Sequence, residues 1–230
     1  MKNSIFSRLL QLRRKIRNAE CRYGRSPGSV QLIAISKGQN IEAIKAGFAA
    51  GQFAFGESYV QEAAEKILCL QDLKIEWHFI GRIQANKTKF IANNFSWIHS
   101  LADLRMAEKL NEYRKEANLT PINVCIQVNL QKELSKAGVY LEHLVCLVKS
   151  IDKLSHLNLH GLMAIPKPEK EFSSQRKSFK TLRLILIKLQ AADFKLDTLS
   201  MGMSNDFEAA IAEGATSIRL GTAIFGKRKL

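Results

Sequence analysis

Residues 30–56, VQLIAISKGQNIEAIKAGFAAGQFAFG, decide the fold. They begin with the apolar run VQLIAIS (30–36), which is typical of a buried strand. The segment IEAIKAGFAAG follows, with apolar residues three and four positions apart as on one face of a helix, and then comes a second apolar run, FAFG (53–56). A strand, a helix and a strand in this order favour a parallel pair, because parallel strands need a crossover connection.

The same alternation continues to the end of the chain. Short strand-like runs occupy residues 30–36, 53–56, 76–81, 97–100, 122–129, 160–165, 197–200 and 217–221. Eight such units close most naturally into a barrel. The sequence therefore predicts an α/β fold, a single (β/α)8 TIM-type barrel over residues 1–230, with a basic helix in residues 1–29 packed on the barrel. An open doubly wound sheet is the alternative, disfavoured because no GxGxxG turn follows the first run.

The composition and the cysteine spacing are those of a folded domain without a metal site. Hydrophobic residues make up 46% and charged residues 24% of the chain, which is ordinary for a folded domain. The cysteines stand far apart without metal-ligand spacing, so we expect reduced thiols, no metal site and a cytoplasmic protein; they are Cys21, Cys69, Cys125 and Cys146. The sequence shows neither a signal peptide nor an apolar stretch of about 18 residues that could span a membrane.

The net charge of +14 raises the alternative of a protein that binds RNA or an anionic membrane surface. However, the basic residues are scattered along the chain, and aromatic residues do not interleave with them as in a stacking platform. We therefore expect no specific nucleic acid and no membrane as partner.

Polar residues gather where the strand-like runs end, which is the active face of such barrels. Lys37 follows the first run, and the triplet Gly56, Glu57 and Ser58 follows the second. Near the C-terminus Ser204 is predicted to cap the helix NDFEAAIAEG, while Gly221 and Thr222 follow the last strand. These last residues predict either a phosphate site or only a helix cap and a tight turn.

Arg219 and two histidines are notable polar residues inside strand-like runs. Arg219 alternates with Ile218 and Leu220, so its side chain is predicted to point to the opposite side and to need a carboxylate or a ligand as partner. His78 and His99 are interpreted as structural histidines rather than catalytic ones.

Six segments together resemble the pyridoxal phosphate homeostasis proteins, the YggS/PROSC family. They are ISKGQN, FGESYVQEA, WHFIGRIQANK, QVNLQKELSKAGV, GLMAIP and LSMGMSNDFEAAIAEGATSIRLGTAIFGKR, in order from about residue 30 to residue 228. The resemblance implies a fold type III barrel like the barrel domain of alanine racemase, with pyridoxal 5'-phosphate (PLP) as cofactor. Two positions depart from the family pattern: Gly38 replaces a threonine and Ser58 an asparagine.

The resemblance also implies the cofactor site. Lys37 would form the Schiff base and Arg219 would face the pyridine nitrogen, whereas the phosphate would be held by Ser200, Ser204, Gly221 and Thr222. It implies no role that we can derive for Lys136.

The function implied is PLP homeostasis, in which the protein carries or buffers PLP without robust catalysis. The chain continues for only nine residues after Gly221, so we expect no second domain to supply the additional base of a racemase. A PLP-dependent racemase or another one-base PLP enzyme is the alternative. Expected partners are PLP and the apo forms of PLP-dependent enzymes, and we expect a monomer.

Overall fold

The computed structural model describes residues 4–133 and 136–226. In this part of the chain eight parallel strands follow one another around a closed barrel, and the last strand pairs with the first. The strands are β1 Gln31–Ile35, β2 Ala54–Glu57, β3 Glu76–Phe79, β4 Trp97–Leu101, β5 Ile122–Gln127, β6 Leu157–Met163, β7 Thr198–Ser200 and β8 Ser217–Leu220.

Helices connect the strands on the outside of the barrel. Their bounds are α1 Ile5–Arg22, α2 Ile41–Ala49, α3 Val60–Cys69, α4 Thr88–Asn94, α5 Leu104–Glu116, α6 Leu141–Ile151, α7 Phe172–Gln190, α8 Phe207–Ala212 and α9 Thr222–Phe225, with a 3-10 turn at Ala85–Lys87. The (β/α)8 prediction is confirmed, because the β1–β8 pairing closes the sheet and excludes the open doubly wound alternative.

The N-terminal helix α1 lies against α2, α8 and α9. It begins after Ser4, whose hydroxyl accepts a hydrogen bond from the amide of Ser7. Its apolar residues recur at helical spacing and are buried in the main core; they are Leu9, Leu12, Ile16 and Ala19. An amphipathic helix of this kind gains stability by burying one face against its neighbours.

Two local features differ from the sequence prediction. Strand β6 begins at Leu157, three residues before the predicted run, because Leu157 pairs with Ile122 on β5. Helix α4 has only seven residues, of which Ile91 and Ala92 are its buried apolar side chains, so its helical period is too short to be recognised.

Gly161 of β6 shows how closely two strands can approach. A Cβ atom at this position would lie 1.9 Å from the carbonyl oxygen of Thr198 on β7, so the strand pairing requires glycine here. Across the described residues, no helix is both long and apolar enough to cross a membrane.

Candidate functional site

A cavity of about 590 Å³ opens at the carboxyl ends of the strands. Its walls combine residues that follow β1, β2, β3, β6, β7 and β8 in the chain. They include Ile35, Lys37, Ser58, Ile80, Ile165, Lys170, Ser204, Asp206, Arg219, Gly221 and Thr222. The structure thus brings together five of the six predicted site residues, namely Lys37, Ser204, Arg219, Gly221 and Thr222.

Lys37 is half-buried in the turn that follows β1, and its side chain lines the cavity. The residue before it, Ser36, is fully buried and is held by hydrogen bonds with two side chains. The Ser36 hydroxyl donates to Glu57 Oε1 at 2.6 Å, and its carbonyl oxygen accepts from Lys66 Nζ at 2.7 Å. The backbone that presents Lys37 is therefore anchored from below.

The anchor is a buried ion pair that sequence reasoning missed. Lys66 Nζ lies 2.7 Å from Glu57 Oε1 and 2.5 Å from Glu62 Oε1, and the Lys66 side chain is only 5% exposed. Burial raises the pKa of Glu57, and the charge of Lys66 opposes that rise. The signal in the sequence was the spacing of Glu62 and Lys66, which reads equally well as an exposed helical pair.

Gly38 adopts a left-handed conformation with φ of 71°. Its amide donates to Glu62 Oε1 at 2.5 Å, which ties the turn after Lys37 to helix α3. A β-branched residue at such a φ is strained, so the turn seen here suits the glycine that departs from the family pattern. The second departure, Ser58, lines the cavity itself.

Arg219 points into the barrel, as its alternation with Ile218 and Leu220 predicted, and is only 4% exposed. Its guanidinium donates to Ser200 Oγ at 2.7 Å and to the carbonyl oxygen of Ala164 at 2.9 Å. Burial lowers the pKa of Arg219 to about 10, and the negative charge of Asp206 opposes the shift. The side chain therefore stays cationic at neutral pH although both of these acceptors are neutral.

Ser200 does not line the cavity with the other predicted residues. It is the last residue of β7, it is fully buried, and its hydroxyl contacts Arg219 and lies 2.8 Å from His99 Nδ1. A hydroxyl engaged in this way supports the guanidinium of Arg219.

The predicted cap at Ser204 is wrong. Helix α8 begins at Phe207 with Asp206 as its N-cap residue, and the Asp206 carboxylate accepts from the amide of Met203 at 2.6 Å. Ser204 instead lies in the turn before the helix and contributes to the cavity wall. Asp206 takes the N-cap position, and its carboxylate closes the turn by accepting a hydrogen bond from the amide three residues earlier.

Gly221 and Thr222 complete the wall after β8, where α9 begins. A Cβ atom on Gly221 would lie 3.1 Å from the carbonyl oxygen of Ile35, so the glycine allows β8 to end close to β1. Lys136 does not itself line the cavity, but its Nζ lies 3.2 Å from the carbonyl oxygen of Ile165, a residue of the cavity wall, and 2.8 Å from Glu133 Oε1.

His78 and His99 are buried inside the barrel and contact each other, with 2.9 Å between His78 Nδ1 and His99 Nε2. No group of three histidine, cysteine or acidic residues able to hold a metal ion occurs among residues 4–133 and 136–226.

The sequence matches the family model described as the N-terminal domain of alanine racemase over residues 8–229. It is 47% identical over 226 residues to the pyridoxal phosphate homeostasis protein of Pseudomonas aeruginosa, covering 98% of this chain and 96% of that protein. It is 45% identical to the protein of the same name from Escherichia coli K12, covering 98% and 97% of the two chains. The chain belongs to the pyridoxal phosphate homeostasis protein family. The resemblance seen in the sequence is thereby confirmed.

Solved structures agree with this family assignment. PipY of Synechococcus elongatus, solved with PLP bound, is 37% identical and superposes with a TM-score of 0.86 over 97% of this chain and 100% of PipY. Alanine racemase of Clostridium difficile shares the fold, with a TM-score of 0.71 at 15% identity over 94% of this chain and 56% of that enzyme. The family is thus built on the same barrel as the racemase domain.

Proposed function

We propose that this protein binds PLP covalently through Lys37 and carries or buffers it for PLP homeostasis in the cytoplasm. The observation that carries the proposal is one cavity that has an amine, a buried guanidinium and hydroxyl groups in its walls. PLP has an aldehyde, a pyridine nitrogen and a phosphate, and each of these groups matches one of those features. The naming of the relatives and the PLP-bound PipY structure support the same assignment.

Different residues of the cavity would contact different groups of the cofactor. Lys37 Nζ would hold the aldehyde carbon, Arg219 would face the ring nitrogen, and the phosphate would lie against Ser204, Gly221 and Thr222. Ser200 takes part through Arg219, whose guanidinium it holds. Arg219 could face the ring nitrogen without rearrangement. Its two hydrogen-bond acceptors, Ser200 and the carbonyl of Ala164, are neutral and do not cancel its positive charge.

The same geometry argues against robust catalysis. Bound PLP supplies an electron sink, which is strongest when its ring nitrogen is protonated. A guanidinium beside that nitrogen disfavours protonation because two positive charges repel each other. We therefore infer a carrier that hands PLP to apo enzymes, in preference to a racemase, and propose separately that it is a monomer.

The first experiment is an absorption spectrum of the protein incubated with PLP, followed by borohydride reduction and peptide mapping. We expect a visible band and a reduced adduct on Lys37, both lost in Lys37→Ala. Lys170→Ala is the matched control, since Lys170 also lines the cavity but does not follow a strand. An adduct on Lys170 with none on Lys37 would refute the assignment.

A second pair of measurements separates the alternatives. A racemase or one-base enzyme would exchange α-deuterium of amino acids in a Lys37-dependent reaction, whereas a carrier would exchange little and would instead load an apo PLP enzyme. A protein that acts through its net charge of +14 would bind RNA or anionic vesicles with steep salt dependence and would not need Lys37.

A further inference from the structure

A line of polar side chains crosses the interior of the barrel below the cavity. It runs from Arg219 on β8 through Ser200 on β7, His99 on β4 and His78 on β3 to Glu76, the first residue of β3. The successive contacts measure 2.7, 2.8, 2.9 and 3.4 Å. Barrel interiors are normally filled by branched apolar side chains, and buried polar groups are costly unless they are bonded.

The two charged ends of this line favour one direction of donation along it. A guanidinium can only donate hydrogen bonds, and a carboxylate can only accept them. Ser200 Oγ therefore accepts from Arg219 and can give its own proton to His99 Nδ1. His99 then donates from Nε2 to His78 Nδ1, which leaves a proton on His78 Nε2 facing Glu76.

Further observations agree with a neutral His99 and an ionised Glu76 in this line. Burial lowers the pKa of His99 well below its ordinary value, and positive charge at His78 and at Arg219 adds to the effect. The neighbouring His78 imidazole is the main cause that lowers the pKa of Glu76, against the opposing effect of burial, and this keeps the carboxylate ionised. Trp97 Nε1 and Gln31 Nε2 hold the Glu76 carboxylate at 2.9 and 3.1 Å. The contact of His78 with Glu76 is the longest of the line and has no regular hydrogen-bond geometry.

We propose that His78, His99 and Ser200 form a one-directional hydrogen-bond relay that positions Arg219 for the ring nitrogen of PLP. This inference rests on the proposed function. The relay holds one side of the guanidinium at Ser200 while the carbonyl of Ala164 holds another, so the planar group cannot rotate and its remaining N–H groups keep a constant direction. His78 and His99 are thus positioning residues that reach the cofactor only through Arg219.

The relay can be tested first without any cofactor. Side-chain ¹⁵N NMR of the apoprotein should show the ring proton of His78 and of His99 on Nε2, with both Nδ1 atoms acting as acceptors, and slow rotation of the Arg219 guanidinium. Ser200→Ala should increase that rotation rate and release His99 from a single tautomer. A charged imidazole, a proton on His99 Nδ1, or an unchanged rotation rate in Ser200→Ala would overturn the proposal.

The effect on the cofactor is measured with PLP labelled with ¹⁵N in its ring. Ser200→Ala should shift the ring-nitrogen resonance and weaken binding roughly tenfold, the size of effect expected from one lost charge-assisted hydrogen bond. His99→Gln interrupts the relay one residue further away and serves if Ser200→Ala does not fold. His143→Gln is the matched control, since His143 is exposed on helix α6 and lies outside the relay.

The outcomes separate the two proposals. If the wild-type protein forms no adduct on Lys37 but shows the predicted tautomers, the proposed function is refuted. The restraint of Arg219 by the relay would still hold. A normal adduct together with an unshifted ring-nitrogen resonance in both Ser200→Ala and His99→Gln would refute the positioning role alone.

Discussion

Replacing Lys66 with methionine tests the buried ion pair beneath Lys37. Methionine keeps much of the length of the side chain and removes its charge. Glu57 is then left fully buried with one hydrogen bond, from Ser36, and its Oε2 has no partner in the native structure either. Removing one member of a buried pair typically costs about 3–5 kcal/mol, because the other charge is stranded away from water.

This loss is large on the scale of the whole protein. Domains typically unfold with about 5–15 kcal/mol, and about 2–4 °C of melting temperature is lost per kcal/mol at this chain length, so we expect Lys66→Met to melt about 6–20 °C lower. Lys45→Met is the matched control. Lys45 pairs with Glu42 on the surface at 3.3 Å, with side chains 51% and 77% exposed, and exposed pairs contribute less than about 1 kcal/mol.

The loss should also depend on pH. Burial raises the pKa of Glu57 in the folded protein, and removing Lys66 removes the charge that opposes the rise. Between the unfolded and folded pKa values the folded state binds more protons, so its free energy of unfolding falls as the pH rises through that window. The deficit of Lys66→Met is therefore smaller at about pH 5 and reaches its full size above the folded pKa.

The assay is urea unfolding followed by circular dichroism at several pH values, with the double variant Lys66→Met, Glu57→Gln alongside. The double variant should recover much of the lost free energy, because no charge is stranded in it. A deficit below about 1 kcal/mol in Lys66→Met at about pH 8, or a double variant as unstable as the single one, would contradict the reasoning.

Three further predictions concern the backbone and the thiols. Gly38→Thr should lower stability by about 1–2 kcal/mol in urea unfolding and Gly38→Asn by less, because asparagine tolerates the left-handed region better; equal losses would argue against strain. Gly161→Ala should lower stability by more than about 2 kcal/mol in the same assay, since its Cβ atom would meet the carbonyl of Thr198, and an unaffected melting temperature would count against the β6–β7 geometry. Ellman's reagent should label the three exposed cysteines of the native protein and reach Cys125 only on unfolding, because burial shields that thiol and raises its pKa; rapid reaction of all four thiols would contradict the barrel interior described here.

The alternation of strands and helices was sufficient to predict the barrel, because each strand run needs only local apolar residues and each crossover only a helical period. It also placed Lys37 and Arg219 at one face, since both lie at or near a strand end and strand ends meet at one face of a parallel barrel, whereas their cofactor roles came from the family resemblance. These inferences depend on the order of elements and not on how side chains meet across the barrel.

The sequence could not show which side chains from different strands and helices contact each other. Ser200 lies at the end of β7 like a ligand-binding residue, but its depth in the barrel brings it under Arg219, and no local pattern encodes that depth. His78 and His99 are separated by a helix and belong to adjacent strands, so their contact follows from the β3–β4 register. In the sequence Lys66 looks like a surface residue, because its buried partner Glu57 belongs to a different element, β2.

The two buried networks fix neighbouring parts of the cavity wall, because Lys37 follows β1 and Arg219 lies on β8, the strand paired with β1. Lys66 and Glu57 anchor the backbone before Lys37, while Ser200 and the histidines hold Arg219. The remaining wall is formed by loops such as 166–170 and 203–206, which contribute Lys170 and Ser204. Preorganised groups lower the ordering cost of binding, and loops tolerate the motion that release needs. A carrier must do both, so variants that loosen the anchors should weaken binding, whereas variants in the loops should chiefly change the rate of release.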